Sequence, residues 1–385
     1  MLKTIATFLL ITLSLCVSAK DSLKVVTYNL GLAHTFVPLA EERLPELGKA
    51  LANSDADILC LQEVWEKKDR KKIAKAVEKT FPNVYFEKIK NIKSERIPTC
   101  KISELFGEGK FVGCMQKNCS GKEGDDFTNC IIETCGPALR ELKDSNRECA
   151  TSLMAQVGKS TIGAMVTILN PFKRAGLFAY KGSDGLMLLS RYPLENQRYL
   201  DLSKISTLNR RGALIADVTV NGQKHKVGCA HISSDLEATV PYTGKFKNWG
   251  EENKVQLGKL LEEMDHFEER SILMGDLNCG FANSDLGIAG ELEESCEQIS
   301  DHQFSNALLE GNNEECTFCS DNKLNDGQEL NLIIDHVLLK GVTFQSSRVT
   351  YKKLVTVKKS KNEKVTTNLS DHYGIEVVIP LKSQE

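Results

Sequence analysis

Short apolar runs, each opened or closed by a polar residue, constrain this chain more than any other feature. They read "KVVTYNLG", "DILCLQEVW", "GLMLLSRYPL", "SILMGDLN", "LIIDHVLL" and "YGIEVVIP". Runs this short, apolar on consecutive residues as at Ile58 to Leu61, predict strands buried on both faces. Between Leu214 and His231 a hairpin is explicit: "LIADVTV" alternates, Asn221-Gly222 supplies a type I′ turn and "KHKVGCAH" returns. Helical periodicity fills some of the gaps. Leu257, Leu260, Leu261, Met264 and Phe267 share one face, and Lys71 to Thr80 reads as a surface helix with Ile73, Ala76 and Val77 inward. Leu39 to Leu51 has a helical pattern that Pro45 interrupts. The mixture predicts an α/β fold in which two mainly antiparallel sheets pack together with helices outside.

A net charge of −3 gives no electrostatic footprint for nucleic acid. The opening "MLKTIATFLLITLSLCVSAK" has Lys3 as a positive start, an apolar stretch from Ile5 to Val17 and small residues at Val17-Ser18-Ala19. It reads as a signal peptide over residues 1–19, since a membrane span needs about 20 apolar residues. The expectation is an exported chain, secreted or periplasmic, with one domain over 20–385. In an oxidising compartment Cys100, Cys114, Cys119, Cys130, Cys135 and Cys149 are expected to pair within their own segment, with connectivity left open. Cys316 and Cys319 form half of a zinc pattern, and a disulfide is the expected role. Cys60 and Cys229, inside apolar runs, read as buried free thiols.

Residues 94–180 break the strand rhythm and are expected to form a Cys-rich insertion. Its second half, "SLMAQVGKSTIGAMVTILNPFKRAGLFAY", is apolar and carries Lys159, Lys173 and Arg174. A helix packing the insertion's own core explains it, and a membrane-touching segment is the alternative.

The chemistry-bearing residues cluster at the ends of the apolar runs: Asn29, Glu63, His231, Asp276, Asn278, Asp335 and the adjacent pair Asp371–His372. In an antiparallel sheet the start of one strand and the ends of its neighbours share an edge, so these groups are expected to meet on one rim. His336 alternates to the opposite face and reads as structural. His34, His225, His266 and His302 belong to no motif.

The stretches "TYNLG", "LCLQEVW", "GLMLLSRYPL", "CAHI", "GDLN", "IDHVLL" and "LSDHYGIEV" together resemble the endonuclease/exonuclease/phosphatase superfamily, the deoxyribonuclease I-like fold. "SDGLMLLSRYPL" is most similar to secreted neutral sphingomyelinases. The resemblance implies a four-layer α-β-β-α sandwich and a metal-dependent phosphoric diester hydrolase. It implies Glu63 as the Mg²⁺ ligand, helped by Asp371, since carboxylate oxygens are hard donors suited to that ion. His372 would be the general base, Asp335 its orienting carboxylate and His231 the group facing the leaving oxygen. Asn29 and Asn278 would donate to phosphate oxygens, and Asp276 would orient Asn278 or the attacking water. Family mechanisms divide on whether Asp276 or His372 takes the proton. Gly31 departs from family nucleases that carry an acidic residue there, and "CTFCSDNKL" receives no role.

The function expected from these residues is hydrolysis of a phospholipid head group at a membrane surface, sphingomyelinase-like. A secreted endonuclease acting on nucleic acid is the alternative, to which "EKKDRKKIAK" would contribute a phosphate track, although lysine runs usually mark a solvated helix face. An inactive binding protein or toxin subunit is a third reading, opposed by the intact His231, Asp335 and His372 set. No protein partner is indicated.

Overall fold

The computed structural model describes residues 20–381 other than 35, 123, 158–160, 266–269, 312–314, 326, 328 and 361. The expected signal peptide over 1–19, together with Lys159, His266 and Phe267, lies outside the described residues.

Strands β1 (Ser22–Asn29), β2 (Ile58–Gln62), β3 (Asn83–Tyr85), β4 (Met187–Ser190), β5 (Glu195–Asp201), β6 (Gly212–Val220), β7 (Gln223–His231), β8 (Ser271–Asp276), β9 (Ser305–Asn306), β10 (Asp335–Lys340), β11 (Ser346–Thr350), β12 (Val355–Lys358), β13 (Lys364–Thr367) and β14 (Gly374–Pro380) carry the architecture. They form one sheet in the order β11-β14-β1-β2-β4-β3, a second in the order β5-β6-β7-β8-β10-β9, and a small β12-β13 ribbon. The β1–β2 and β7–β8 pairs are parallel, and the other neighbours run antiparallel. The β6–β7 hairpin turns at Asn221 and Gly222, both at positive φ as a type I′ turn requires.

Three apolar layers explain the stacking. Val25, Ile58 and Leu188 of the first sheet pack against Leu214, Met274 and Val337 of the second. Helices α1 (Ala40–Ala52) and α2 (Lys67–Val77) cover the outer face of the first sheet through Leu44, Leu47, Ile73 and Val77. Leu257, Leu260 and Ile299 cover the second sheet from the two helices that follow the insertion. The result is the expected four-layer sandwich. Helix α1 runs through Pro45, because the burial of Arg43, Leu44, Leu47 and Leu51 outweighs one lost backbone bond. Helix α2 begins earlier than its periodicity predicts and leaves Ala76 exposed, not inward.

Between β3 and β4 lie α3 (Ile102–Leu105), α4 (Phe111–Asn118), α5 (Gly124–Ser145), α6 (Arg147–Met154) and α7 (Thr161–Ile168). Disulfides Cys114–Cys135 and Cys119–Cys130 tie α4 and the residue after it to α5, and Cys100–Cys149 ties α6 to the chain just ahead of α3. These cysteines share a core with Leu105, Val112, Leu142 and Ile168. Helices α8 (Trp249–Asp265), α9 (Glu293–Asp301) and α10 (Ala307–Glu310) complete the chain. Cys316 pairs with Cys319, as expected, and Cys279 with Cys296. Cys60 and Cys229 are not free thiols. They face each other from β2 and β7 with Cα atoms 5.2 Å apart and form a disulfide between the two sheets. An apolar run hides this pairing, because a strand buried on both faces looks the same whichever sheet it meets. Among the described residues no helix is long and apolar enough to cross a membrane.

Candidate active site

Strand register brings the polar run-ends to one rim. Parallel pairing sets Asn29 of β1 beside Gln62 of β2, so Glu63 follows directly at the same edge. Antiparallel β14 starts there too, with Asp371 and His372 in the turn just ahead of it. On the second sheet His231 is opposite Asp276 in the parallel β7–β8 pair, and Asp276 is opposite Asp335 in the antiparallel β8–β10 pair. Asp335 opens β10 and does not close the preceding run: Leu332 bridges instead to Phe318 in a crossing loop. The two sets face one another across a cleft of about 870 Å³.

The groups interlock. His372 Nδ1 is 2.9 Å from Asp335 Oδ2, which fixes Nδ1–H as the donor and turns Nε2 toward the cleft. Asn29 Nδ2 donates to Asp276 Oδ2 at 2.9 Å and lies 3.5 Å from His372 Nε2, while Asn29 Oδ1 accepts from the Gly31 amide. Asp276 Oδ2 is 3.5 Å from His231 Nε2 and 4.0 Å from His372 Nε2. Asp276 Oδ1 accepts from the Asn278 amide, and Asn278 Nδ2 donates to the Ile232 carbonyl. His336 points away, bonded to the Cys279 carbonyl and Asn306, as a structural residue would be.

Burial and charge sort the protonation states. Burial, then the Asp335 charge, pushes Asp276 up to about 7. Burial opposes the charge on His372, but Asp335, Asp371 and Asp276 together hold that imidazole well above its usual value. Burial, then Arg211, pushes His231 well below, so it stays neutral. Glu63 is raised by burial and by the neighbouring charge of Asp371.

A model of the endonuclease/exonuclease/phosphatase family matches residues 26–372. The chain belongs to that family. Solved structures agree on the fold. Sphingomyelinase C from Streptomyces griseocarneus superposes with a TM-score of 0.55 at 15% identity, over 93% of this chain and 99% of that one. Beta toxin from Staphylococcus aureus, in a mutant form with bound magnesium ions, gives 0.53 at 12% over 93% and 99%. TDP2 from Caenorhabditis elegans gives 0.50 at 12% over 94% and 75%. No curated protein matches the sequence.

The acidic end of this family member's cleft fits a hard divalent cation. Glu63 and Asp371 place two carboxylates close enough to repel. Gly31, at φ +52°, makes room for Asp371: a Cβ there would lie 2.0 Å from Asp371 Oδ1. The space that an acidic residue at position 31 would need is therefore taken by the Asp371 carboxylate.

Supporting residues hold these groups in place. The Arg43 guanidinium donates to the carbonyls of Leu30, Gly31 and Leu369, clamping the turn after β1 to the one before β14. Arg70, inside the lysine-rich "EKKDRKKIAK", is buried. It bonds Asp184, Ser183 and the Val64 carbonyl, which fixes the turn bearing Glu63. Gly185, also at positive φ, lies flush against the Trp65 ring, so the "SDG" motif seats both Arg70 and Trp65. The "CTFCSDNKL" loop acquires a role: Asn322 and Asn325 donate to the Asp371 carbonyl, and the Phe318 ring packs edge-on against His372. Arg211 and Trp65 line the cleft as well. The signals in the sequence were faint, a double arginine entering an alternating strand and a tryptophan two residues after Glu63.

Proposed function

We propose that this family member is a secreted, Mg²⁺-dependent phosphodiesterase that hydrolyses a phospholipid head group. The observation that carries the hydrolase reading is the His372–Asp335 bond, which sets the His372 ring beside Asp276 in a cleft that Glu63 and Asp371 also line. Six disulfides suit a chain matured in an oxidising compartment.

In this mechanism His372 acts in the fraction of molecules in which Nε2 has given up the proton that the surrounding carboxylates favour; there it takes the water's proton, and Asp335 stabilises the resulting imidazolium through Nδ1–H. Asp276, titrating near neutrality, orients the water and holds the Asn29 amide. Neutral His231, its Nε2–H facing the Asp276 side of the cleft, donates to the leaving oxygen. The second N–H of Asn29 and of Asn278 donates to phosphoryl oxygens, a contact worth most where water is excluded. Glu63 and Asp371 would hold the cation, which when bound polarises the phosphoryl oxygen and offsets charge on the leaving group.

A phospholipid is favoured over nucleic acid by the walls of the cleft. Val157, Tyr180, Leu208, Leu236 and Val240 give the cleft an apolar lining, and among the described residues that line it Arg211 is the one arginine or lysine. The insertion also presents Ile102, Val166 and Phe172 to solvent, which suits a membrane surface. The deciding experiment assays sphingomyelin liposomes, phosphatidylcholine liposomes and plasmid DNA in parallel with Mg²⁺. Choline-phosphate release is expected from a choline phospholipid. Robust plasmid cleavage without it would transfer the site to nucleic acid, and no turnover on any of the three would leave a binding protein.

A further inference from the structure

Among the described residues, Arg211 is a cation of the cleft with no anion bonded to it. Arg211 immediately precedes β6, whose first residue, Gly212, pairs with His231. Its side chain lines the cleft, yet the residue is only 4% exposed. Nε and Nη1 are closed off from solvent and donate to no partner, and among the described residues the guanidinium makes no ion pair or hydrogen bond. Nη2 is the nitrogen left open to the cleft. The group rests over the Trp65 ring, 5.7 Å from its centroid, and Trp65 in turn stacks on Tyr180 at 4.9 Å. Its neighbour Arg210 is in the opposite situation, bonded to Asp201 and laid over Tyr199.

Burying an uncompensated guanidinium is costly unless something bound to the protein compensates it. Glu63 and Asp276 feel its charge without reaching it as ion-pair partners, so they keep it in the cleft without satisfying it. The aromatic stack holds the fork in one orientation, which lowers the entropy lost when a ligand arrives. The unmet donor is next to His231, on the leaving-oxygen side, and an arginine fork matches a tetrahedral oxyanion.

We propose that Arg211 is a substrate-binding residue that grips a non-bridging phosphoryl oxygen through Nη2, with Trp65 and Tyr180 as the platform that positions it. The inference rests on the phosphodiesterase reading for its substrate, but the phosphate contact can be measured without turnover.

Inorganic phosphate is the probe. The full chain in EDTA is titrated with phosphate at constant ionic strength, and binding is read from the melting temperature and from tryptophan fluorescence. Wild-type protein should be stabilised by phosphate. Arg211→Met should bind phosphate at least tenfold more weakly, and without phosphate it should melt no lower than wild type, since it removes an unpaired buried charge. Arg211→Lys keeps the charge but loses the fork, and should bind with intermediate affinity. Equal phosphate affinity in wild type and both variants overturns the proposal. So does a drop in melting temperature for Arg211→Met with phosphate binding intact, which would mark Arg211 as structural. If Arg211→Met does not fold, Arg211→Lys decides alone: unchanged phosphate affinity overturns the proposal and weaker affinity supports it. Arg211-dependent phosphate binding in a chain that hydrolyses no diester would keep this contact and discard the hydrolase reading.

Discussion

Asp335 Oδ2 meets His372 Nδ1 at 2.9 Å, while Asp335 Oδ1, equally buried, has no partner. The carboxylate is thus committed to one imidazole, and among the described residues it is the group that bonds that ring's Nδ1. Asp335→Asn should lower turnover by about 10³-fold or more. Combining it with His372→Ala should cost little beyond the worse single change, because groups acting as a unit are not additive. Steady-state kinetics on the double-mutant cycle test this, and additive losses would show two independent roles.

Gly31 is the cheapest place to disturb the carboxylate pair. Gly31→Ala places a methyl against Asp371 Oδ1 and strains a backbone at φ +52°. It should weaken Mg²⁺ binding, measured calorimetrically, and cost about 1 kcal/mol or more in stability. Glu63→Gln should abolish most Mg²⁺ binding while leaving the melting temperature without metal unchanged or raised, since it removes one of two repelling charges. Mg²⁺ affinity unchanged in both variants would assign the cation to other ligands.

His225, on β7, is buried with neither ring nitrogen bonded, and burial, then Arg270, lowers its pKa from 6.5 to about 4. Unfolded chain therefore takes up a proton below about pH 6.5 that the folded chain refuses until about pH 4. Stability is unaffected above that window and falls as pH drops through it, by at most about 3 kcal/mol. His225→Leu should flatten the denaturation midpoint between pH 7 and 4. An unchanged pH slope would mean the ring finds a partner in solution.

The Cys316–Cys319 loop supports His372 through Phe318 and supports Asp335 through Thr317, whose Oγ1 accepts from the Ile334 and Asp335 amides. Closing so short a loop contributes only about 2 kcal/mol. Changing both cysteines to serine should lower kcat more than it lowers melting temperature. Loss of stability with full kcat in the folded fraction would contradict the positioning role.

The rim was legible because strands of this fold end where their apolar runs end, so Asn29, His231 and Asp276 could be placed from the runs alone. Asp335 was legible as a residue but not as a strand start, since Leu332 to Ile334 are as apolar as the strand after them. Arg43 and Arg70 were hidden for a different reason. Arg43 has its charge satisfied by backbone carbonyls and Arg70 chiefly by Asp184, partners that no local pattern connects to them, so both look like ordinary surface residues of helices. Cys60 and Cys229 were hidden by distance, 169 positions apart in runs that give no sign of facing each other.

That link has a consequence for how the cleft can move. Asn29 is in one sheet, with Glu63 and His372 just beyond the ends of its strands, and His231, Asp276 and Asp335 are in the other. Enzymes divided this way can open by letting their halves slide or rock across the central apolar layer. Here a covalent strut runs through that layer from β2 to β7, two residues before the end of each strand. Adjustment to substrate is left to the rim: to the insertion side, the disulfide-closed loop under His372 and the turn that bears Gly31.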